Sequence, residues 1–368
     1  MHRATTATVK PVPRFASTLL TGCLLLILLA GCAQKKKQFD YTIFAFGTLI
    51  EISLFDVTKA QAEKAFAELQ KDFDRFHRDW SPWTEGDLAK LNRQLQQQTG
   101  QPIEMPAHLL PIIKASFELS RQSDNFYNPT IGRLINLWQF HKYQDSDIQP
   151  PDASKIRALV AQNPKMSDMR LDSDNRLINT NPAVSLNFGA FAKGYAIGLE
   201  IQKLRSLGIN NAVINAGGDL SVIGRHGERP WNIGIRHPRK QTLLASVEVG
   251  DNESVFTSGD YERFYTWQGK RYHHILDPRT GYPTQDTQSV TVIHTDPALA
   301  DAAATALFVA GSRDWQRIAR KMGLRYVMLV DARGEIYLTR AMMERVKLAP
   351  ASDPEKAPAL HIIELNRL

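Results

Sequence analysis

The sequence predicts an α+β fold in which helices pack on largely antiparallel sheets. Three observations support this class: amphipathic helical patterns occur in both halves, short β-branched segments crowd the C-terminal half, and the two kinds of segment do not alternate as in a βαβ fold. The 368 residues are 43 % hydrophobic and 23 % charged. That composition is sufficient for one large domain or for two intimately packed lobes.

The N-terminal half predicts a strand pair followed by helices. Residues 39–55 read as two strands around Gly47, because apolar and polar side chains alternate in the second of them. Amphipathic spacing predicts helices over 59–76 and near 107–122. Residues 142–165 are rich in Asp, Pro and Gln, and we expect a surface excursion there.

The C-terminal half predicts short strands separated by turn residues, with helices between some of them. The strands are AVINAGGDLSVIG, WNIGI, LLASVEV, SVTVIH and YVMLV. The helices are expected near 191–207, 297–309 and 313–322.

The first 31 residues have the layout of a secretory signal peptide. Arg3, Lys10 and Arg14 precede the apolar run ASTLLTGCLLLILLAGC, which is too short to be read as a stop-transfer helix. The sequence Leu-Ala-Gly-Cys at its end resembles the lipobox of bacterial lipoproteins, which implies cleavage before Cys32 and lipidation of its thiol. An uncleaved signal anchor is the alternative.

Residues 32–39 would then form a basic tether between the lipid and the folded domain. Ala33 follows the cysteine in place of an inner-membrane retention Asp, which favours the outer membrane facing the periplasm. Both cysteines, Cys23 and Cys32, lie in this region, so the mature domain has none for disulfides or thiol chemistry. Loss of the leader leaves 42 basic and 38 acidic residues, and this near-neutral body gives no indication of nucleic-acid binding.

The stretch ALADAAATALFVAG contains a candidate cation site. Asp296 followed by Pro297 predicts the start of a helix, and Asp301 and Thr305 then lie one turn apart on one face. Carboxylate and hydroxyl oxygens are hard ligands that suit Mg²⁺. The alternative is a solvated helix face.

The stretch NFGAFAKGYAIG contains a candidate anion site at a strand-to-helix junction. Gly189, Gly194 and Gly198 would permit close backbone approach, and Lys193 could hold a phosphate. An ordinary tight connection is the alternative.

Several side chains beside turns are further candidates. His273 and His274 precede the turn sequence Asp-Pro-Arg-Thr-Gly, so either is a core residue or a general base. Trp83, in DWSPWTEGD, is either a core aromatic or a platform that stacks on a planar ring. Ser258 lies at another strand end, and INAGGDL is most simply a structural turn.

Seven short motifs occur in a characteristic order: A-F-G-T, Y-N-P-T-I-G, F-A-K-G-Y, N-A-G-G-D, T-S-G-D-Y, H-I-L-D-P-R-T-G and A-D-A-A-A-T-A. Together they resemble the FAD:protein FMN transferases, the ApbE-like family. The resemblance covers residues 40–345 and leaves 346–368 as a C-terminal tail. It implies two packed lobes with the FAD site between them.

The resemblance implies an exported, lipid-anchored bacterial enzyme. Such enzymes cleave FAD and attach its FMN half, as a phosphoester, to a threonine of a flavin-carrying subunit of a membrane redox complex, with release of AMP. Two alternatives stay open on the sequence: an FAD pyrophosphatase that uses water, and a lipoprotein that only binds flavin.

The resemblance also implies site residues. Mg²⁺ would be held by Asp301, Thr305 and the carbonyl of Ala190, Asp301 would serve catalysis through the metal, and His274 would be the general base. The FAD contacts it implies are Phe46, Trp83, Phe126, Tyr127, Asn128, Asn187, Lys193, Ser258 and Ile275.

The chain departs from the family pattern at four of its positions. Phe46 stands where Met is common, and Asn128, Asn187 and Gly198 stand where Asp is common. These changes leave the metal chemistry intact and affect the details of FAD binding. Asn128, with LWQFH following, is similar to a branch associated with nitrous-oxide respiration.

Overall fold

The computed structural model describes residues 37–142, 148–350 and 358–365. From Gln38 onward the chain forms one compact unit. The predicted signal peptide, both cysteines and the tether up to residue 36 lie outside the described residues. Within the described ranges, no helix has the length and apolarity needed to cross a bilayer.

The largest element is a mixed nine-stranded sheet. Its pairings are antiparallel except the last, which is parallel. In spatial order the strands are β1 (Gln38–Ala45), β2 (Thr48–Phe55), β6 (Ala212–Ala216), β7 (Asp219–Ile223), β10 (Ser254–Gly259), β13 (Thr287–His294), β14 (Tyr326–Asp331), β15 (Ile336–Thr339) and β17 (Leu360–Ile363).

Three smaller antiparallel sheets flank the large one in the described part of the chain. They are β16 (Val346–Leu348) with β9 (Leu243–Val249) and β8 (Trp231–Arg236); β3 (Pro102–Ile103) with β5 (Leu177–Asn179) and β4 (Met169–Leu171); and the hairpin β11 (Phe264–Trp267) with β12 (Lys270–His273). The predicted tail beyond residue 345 therefore contributes two strands, β16 and β17.

The helices fall close to their predicted positions. They are α1 (Lys59–Asp79), α2 (Asp87–Gln97), α3 (Leu110–Gln122), α4 (Gly132–Trp138), α5 (Ala153–Ala161), α6 (Ala192–Ser206), α7 (Pro297–Lys321) and α8 (Arg340–Met343). Asp296 caps α7 by accepting from the N–H groups of Ala298 and Leu299. Gly311 has φ 65° and ψ −175°, so it breaks α7 between the two predicted helices.

The nine-stranded sheet lies between two hydrophobic layers. On one face, α1, α6 and α7 bury side chains such as Val327 and Leu329. On the other face, Met328 and Val330 pack with β8 and β9. This two-residue alternation along β14 shows that both faces of the sheet are covered there.

The structure corrects the expectation for residues 142–165. Within this stretch α5 forms a helix whose Ile156 is fully buried against Leu134 and Trp138. A helix of nine residues offers too few apolar positions to stand out from its Asp- and Pro-rich flanks. This satellite cluster braces the turn after His274, because Trp138 Nε1 donates to the Gly281 carbonyl at 2.8 Å.

Candidate active site

Polar groups from four elements meet at the end of the large sheet where α6 begins. Lys193 forms an ion pair with the Asp219 carboxylate. The other oxygen of Asp219 accepts from the backbone N–H of Thr257 at 2.9 Å. Asp301 Oδ2 accepts from the backbone N–H of Gly194 at 2.8 Å. These contacts connect α6, β7, β10 and α7 at one point.

Asp301 is a buried carboxyl, with 5 % of its surface exposed. Burial raises the pKa of Asp301 to about 8; Lys193 opposes this shift and Asp219 adds to it. A carboxyl in this position stabilises a bound cation, which in turn would favour its ionised form. Because Asp301 is buried, a solvated helix face is the wrong interpretation of this stretch.

Thr305 lies one turn beyond Asp301 and faces β10. Its Oγ1 is 3.0 Å from Oγ of Ser258. Asp301 and Thr305 therefore present oxygen atoms on the side of α7 that faces the sheet and α6. The structure thus brings together three of the predicted residues, Asp301, Thr305 and Ser258.

The glycines of the predicted anion site allow α6 to approach α7. A Cβ atom on Gly194 would lie 2.2 Å from the Pro297 carbonyl oxygen and 2.7 Å from Asp301 Cβ. A Cβ on Gly198 would lie 2.9 Å from Pro297 Cγ. Gly198 thus faces a proline ring across a tight helix contact, and Lys193 enters the site from the first turn of α6.

The two neighbouring histidines have different environments. His273 is buried; its Nε2 donates to the Thr284 carbonyl at 2.7 Å and its Nδ1 accepts from the Ile275 N–H at 3.3 Å. His274 is partly exposed and donates from Nδ1 to the Arg263 carbonyl at 3.2 Å. No described residue bonds to Nε2 of His274. His273 is therefore a satisfied structural histidine, and His274 retains a free ring nitrogen.

Electrostatics keep His274 neutral. Burial, followed by the positive charge of Arg263 and more weakly that of Lys193, holds the pKa of His274 well below its ordinary value of 6.5. The charge of Lys193 influences the pKa of both His274 and Asp301, so Lys193 lies within electrostatic reach of each. A neutral imidazole with a free nitrogen can accept a proton.

Two predicted aromatic contacts lie on separate elements. Phe46 has a left-handed φ of 54° at the tip of the β1–β2 hairpin, and its N–H donates to His77 Nδ1 at 3.1 Å. Trp83 is 45 % exposed, and its Nε1 donates to Asn136 Oδ1 at 2.7 Å. Trp80 is buried and stacks on Phe46 at 6.3 Å between ring centroids. Of the two tryptophans, Trp83 is the one available to a ligand.

The predicted segment from Phe126 to Asn128 is held between the core and the surface. Tyr127 is buried and packs on Phe191, with ring centroids 5.5 Å apart. Asn128 Nδ2 donates to the Pro164 carbonyl at 2.9 Å, and its Oδ1 accepts from the Thr130 N–H at 3.0 Å. An aspartate could not make the first of these bonds, which explains an amide at this position.

Asn187 has an unsatisfied buried donor. Its Oδ1 accepts from the Gly189 N–H at 2.9 Å, but its Nδ2 is buried without a partner. A buried donor without an acceptor is costly, so a ligand atom is its natural partner. The other predicted contact nearby, Ile275, is buried, and its backbone groups bond to His273 and Thr284.

Asp219 is a site residue that the sequence analysis missed. The motif N-A-G-G-D was interpreted as a structural turn, and it is one: Gly217 and Gly218 have φ of 69° and 102°. The aspartate that ends this turn also fixes Lys193. The only sequence signal for this ion pair was a lysine and a turn aspartate that each lacked an evident partner of opposite charge. Ala190 lies two residues before Ala192, the first residue of α6.

A second group of potential metal ligands lies at the end of α1. Asp79, Asp87 and His108 offer ligand atoms within 4.8 Å of one another. Arg78 already binds Asp79 at 2.9 Å, and Lys90 binds Asp87 at 3.0 Å. Both carboxylates are thus neutralised by protein cations, and we assign no metal to this group.

Comparison with known proteins decides the family. The model of the ApbE family matches residues 46–328. The chain belongs to the ApbE family. It is similar to proteins named FAD:protein FMN transferase, among them one from Rhodobacter capsulatus (39 % identical over 317 residues) and one from Klebsiella pneumoniae (31 % over 290 residues). These alignments cover 85 % and 76 % of this chain, and 59 % and 84 % of the respective relatives.

Solved ApbE structures have the same fold. The ApbE protein of Thermotoga maritima superposes with a TM-score of 0.75 at 30 % identity and covers 84 % of this chain and 99 % of its own. The apo flavinyl transferase ApbE of Pseudomonas stutzeri gives 0.72 at 28 % identity and covers 85 % and 98 %. The predicted α+β class and family membership are confirmed.

Proposed function

We propose that this ApbE-family protein transfers the FMN half of FAD to a threonine hydroxyl of an acceptor protein, in a Mg²⁺-dependent reaction that releases AMP. One observation carries the proposal: the buried Asp301, one turn before Thr305, is bonded to the turn that carries Lys193, and the charge of Lys193 acts on both Asp301 and His274, whose Nε2 is free of described partners. The names of the relatives support the reaction class.

The donor set at this point fits Mg²⁺. Asp301, Thr305 and the Ala190 carbonyl would hold the ion through oxygen atoms, and burial raises the pKa of Asp301 despite the opposing charge of Lys193. When bound, the ion stabilises the negative charge that develops on the phosphate oxygens during transfer. Asp301 thereby contributes to catalysis without touching the acceptor.

The protein groups supply the proton transfer and the positioning. His274 accepts at Nε2 the proton of the acceptor threonine, whose oxygen then forms the bond to the FMN phosphorus. The bond from that phosphorus to the bridging oxygen breaks, and AMP leaves with the electron pair. Lys193, oriented by Asp219, holds the phosphates as a point charge.

The remaining predicted contacts would bind the flavin nucleotide. Phe46 and Trp83 offer aromatic surface to the ring system, and the free Nδ2 of Asn187 offers a donor. Ile275 contributes apolar surface next to His274. Phe126, Tyr127, Asn128 and Ser258 complete the contacts that we assign to FAD.

We also propose the cellular setting that the sequence implies. Cys32 would carry a lipid that anchors the protein at a membrane facing the periplasm, preferably the outer membrane. The acceptor would be a flavin-carrying subunit of a membrane redox complex, with nitrous-oxide respiration as the candidate process. We expect no nucleic-acid partner.

Mass spectrometry of an acceptor tests the activity. The full chain in detergent is incubated with FAD, Mg²⁺ and an acceptor domain that carries the target threonine; an acceptor with that threonine changed to alanine is the control. The proposal predicts a mass gain of one FMN on the threonine acceptor alone, with equimolar AMP. AMP without a mass gain would establish an FAD pyrophosphatase instead, and no AMP at all would establish a flavin-binding lipoprotein.

A further inference from the structure

The loop between β8 and β9 is strongly basic. Residues 236–240 read Arg-His-Pro-Arg-Lys, and the two arginines and the lysine are exposed. Arg239 is held by Asp260, whose carboxylate oxygens accept from Nη1 at 2.7 Å and from Nη2 at 2.6 Å. In the described part of the chain, no carboxylate lies within ion-pair distance of Arg236 or Lys240. The loop therefore presents uncompensated positive charge to solvent.

A further cation, Arg271 on β12, lies beside the same carboxylate. Burial lowers the pKa of Arg271, Asp260 opposes this shift, and the charge of Arg239 adds to it. The Cζ atom of Arg271 is 3.7 Å from the ring centre of Phe264, and its Nε is buried without a partner. The Asp260 carboxylate thus faces two guanidinium groups and can neutralise only one of them. We call the whole set the basic rim: Arg236, Arg239, Lys240 and Arg271.

The basic rim borders the loop that positions the proposed base. This loop, residues 260–263, follows β10. The Cζ atom of Arg236 lies 5.3 Å from the ring centre of Tyr261. Two residues later, the Arg263 carbonyl accepts from the backbone N–H of His274 at 3.1 Å and from its Nδ1 at 3.2 Å. The basic rim and His274 are therefore held by neighbouring residues of one short loop.

The same loop brings the basic rim close to Lys193. Burial raises the pKa of Glu262, and Lys193 and Arg236 both oppose this shift. Glu262 is therefore within electrostatic reach of both cations. The course of β8 agrees with this placement: Trp231, its first residue, donates from Nε1 to the carbonyl of Ile223 at 3.4 Å. Since Ile223 ends β7, β8 begins beside the far end of β7 and finishes, at Arg236, beside the loop that follows β10.

We propose that the basic rim is the docking surface for the acceptor protein, and that it binds a face of that protein rich in carboxylates. This rests on the proposed function, in which a threonine of the acceptor reaches Nε2 of His274. Any protein that presents this threonine must cover the surface around His274, which the basic rim borders. A membrane on that surface would close the site to the acceptor. Complementary charge at this place speeds the encounter and fixes its orientation.

Kinetics with varied acceptor concentration test the docking surface. The full chain in detergent is assayed with FAD, Mg²⁺ and an acceptor domain, and FAD affinity is followed by flavin fluorescence. The double variant Arg236→Gln/Lys240→Glu should raise the KM for the acceptor about tenfold and leave kcat and FAD affinity unchanged. Arg236→Lys keeps the charge and should keep the parent KM. Lys114→Glu, at an exposed lysine on α3 outside the basic rim, is the matched control and should change neither KM nor kcat.

Salt dependence provides a second measurement of the same attraction. Raising NaCl from about 0.1 M to 1 M shortens the Debye length from about 10 Å to 3 Å and should raise the KM of the parent chain for the acceptor. The double variant has lost this attraction, so its KM should respond much less. Calorimetric titration of the acceptor without FAD should give the same order of affinities.

An unchanged KM in the double variant, or an equal rise in Lys114→Glu, would overturn the docking surface. A loss of FAD affinity would assign the basic rim to the substrate phosphates instead, and a lower rate only in phosphatidylglycerol vesicles would assign it to the membrane. FMN transfer with an unchanged KM would leave the proposed function standing alone. Acceptor binding that weakens in the double variant, without FMN transfer by the parent chain, would refute the proposed function and leave the docking surface standing.

Discussion

Asp301 Oδ2 accepts a hydrogen bond from the backbone N–H of Gly194 at 2.8 Å, so the buried carboxyl of α7 is tied to the first turn of α6. That first turn also carries Lys193, which is paired with Asp219 at the end of the β6–β7 turn. A single contact between two helices therefore sets the position of the carboxyl relative to the lysine. The first two predictions test this relationship.

Asp301→Asn should abolish turnover while preserving the fold. The amide oxygen can still accept from Gly194, but the charge that holds a divalent cation is lost, and we expect kcat/KM to fall at least about 100-fold. Mg²⁺ titration followed by AMP release measures it. Asp314→Asn, an acidic residue in the second half of the same helix, is the control. Full activity of Asp301→Asn at low Mg²⁺ would contradict the metal assignment.

Gly194→Ala should destabilise the protein and impair catalysis together. The added methyl group would lie 2.2 Å from the Pro297 carbonyl oxygen and 2.7 Å from Asp301 Cβ, so α6 and α7 must separate. Overpacking of this kind costs about 1–3 kcal/mol of unfolding free energy. Urea denaturation measures it. Gly250→Ala, whose Cβ would meet only Glu253 Oε2 at an ordinary 3.6 Å, should cost much less; equal losses would rule out the steric explanation.

His274→Ala and His273→Ala should fail in different ways. The first removes the proton acceptor and should slow transfer by about 100-fold or more with little change in FAD affinity. The second leaves the Thr284 carbonyl and the Ile275 N–H without their partner and should lower thermal stability. Because the pKa of His274 is held below 6.5, the acid limb of kcat/KM should fall only below that pH. An acid limb at or above pH 6.5 that persists at saturating Mg²⁺, where Asp301 is held ionised, would exclude neutral His274 as the base.

Glu200 should make stability depend on pH. It is 1 % exposed, its Oε2 lacks a partner, and burial raises its pKa to about 8, with Arg75 opposing and Glu68 adding to the shift. The folded state therefore keeps a proton that the unfolded state releases near the ordinary pKa of 4.5. Its contribution to stability is complete below about pH 4.5 and is lost by up to about 1.4 kcal/mol per pH unit until about pH 8.

Urea unfolding at pH 5, 6.5 and 8 tests the role of Glu200. Glu200→Gln should flatten this decline and be more stable than the parent chain at pH 8. Glu228→Gln, at an exposed position, should retain the decline of the parent chain. If the parent and Glu200→Gln lose stability in parallel, another group is responsible.

Exchanging each of two asparagines, Asn128 and Asn187, for aspartate should give different results. Asn128→Asp loses the donor to the Pro164 carbonyl and sets two acceptors against each other, which costs about 1–3 kcal/mol. Asn187→Asp retains the acceptor for Gly189 and, in its protonated form, exchanges one unsatisfied buried donor for another, so at acidic pH its stability should be close to that of the parent. The denaturant midpoints of the two variants test the predicted difference in stability, and similar midpoints would contradict it.

The parts of the fold that follow from local chemistry were predictable. The Asp296–Pro297 cap and the break before residue 313 predicted both halves of α7, and alternation around Gly47 predicted the β1–β2 hairpin. The helix α5 was missed because its stability comes from Ile156 packing on residues distant in sequence. Local pattern contains no such information.

The sequence could indicate candidate residues for the site, but it could not indicate which of them contact one another. The residue pattern alone could not choose between His273 and His274, and only the family resemblance selected His274. The choice depends on the carbonyls of Thr284 and Arg263, which reach the two rings only through the fold. Asp219 was missed for the same reason: its partner Lys193 is 26 residues away and lies on another element.

The break at Gly311 divides α7 into two parts with different partners. The half before it carries Asp301 and Thr305, and the half after it carries Arg317 and Lys321, which bind Asp124 in the loop after α3. A backbone with φ 65° and ψ −175° is accessible essentially to glycine alone and interrupts the rigid helix there. The segment that carries Asp301 and Thr305 can therefore keep its position while the segment that anchors the loop after α3 changes its direction.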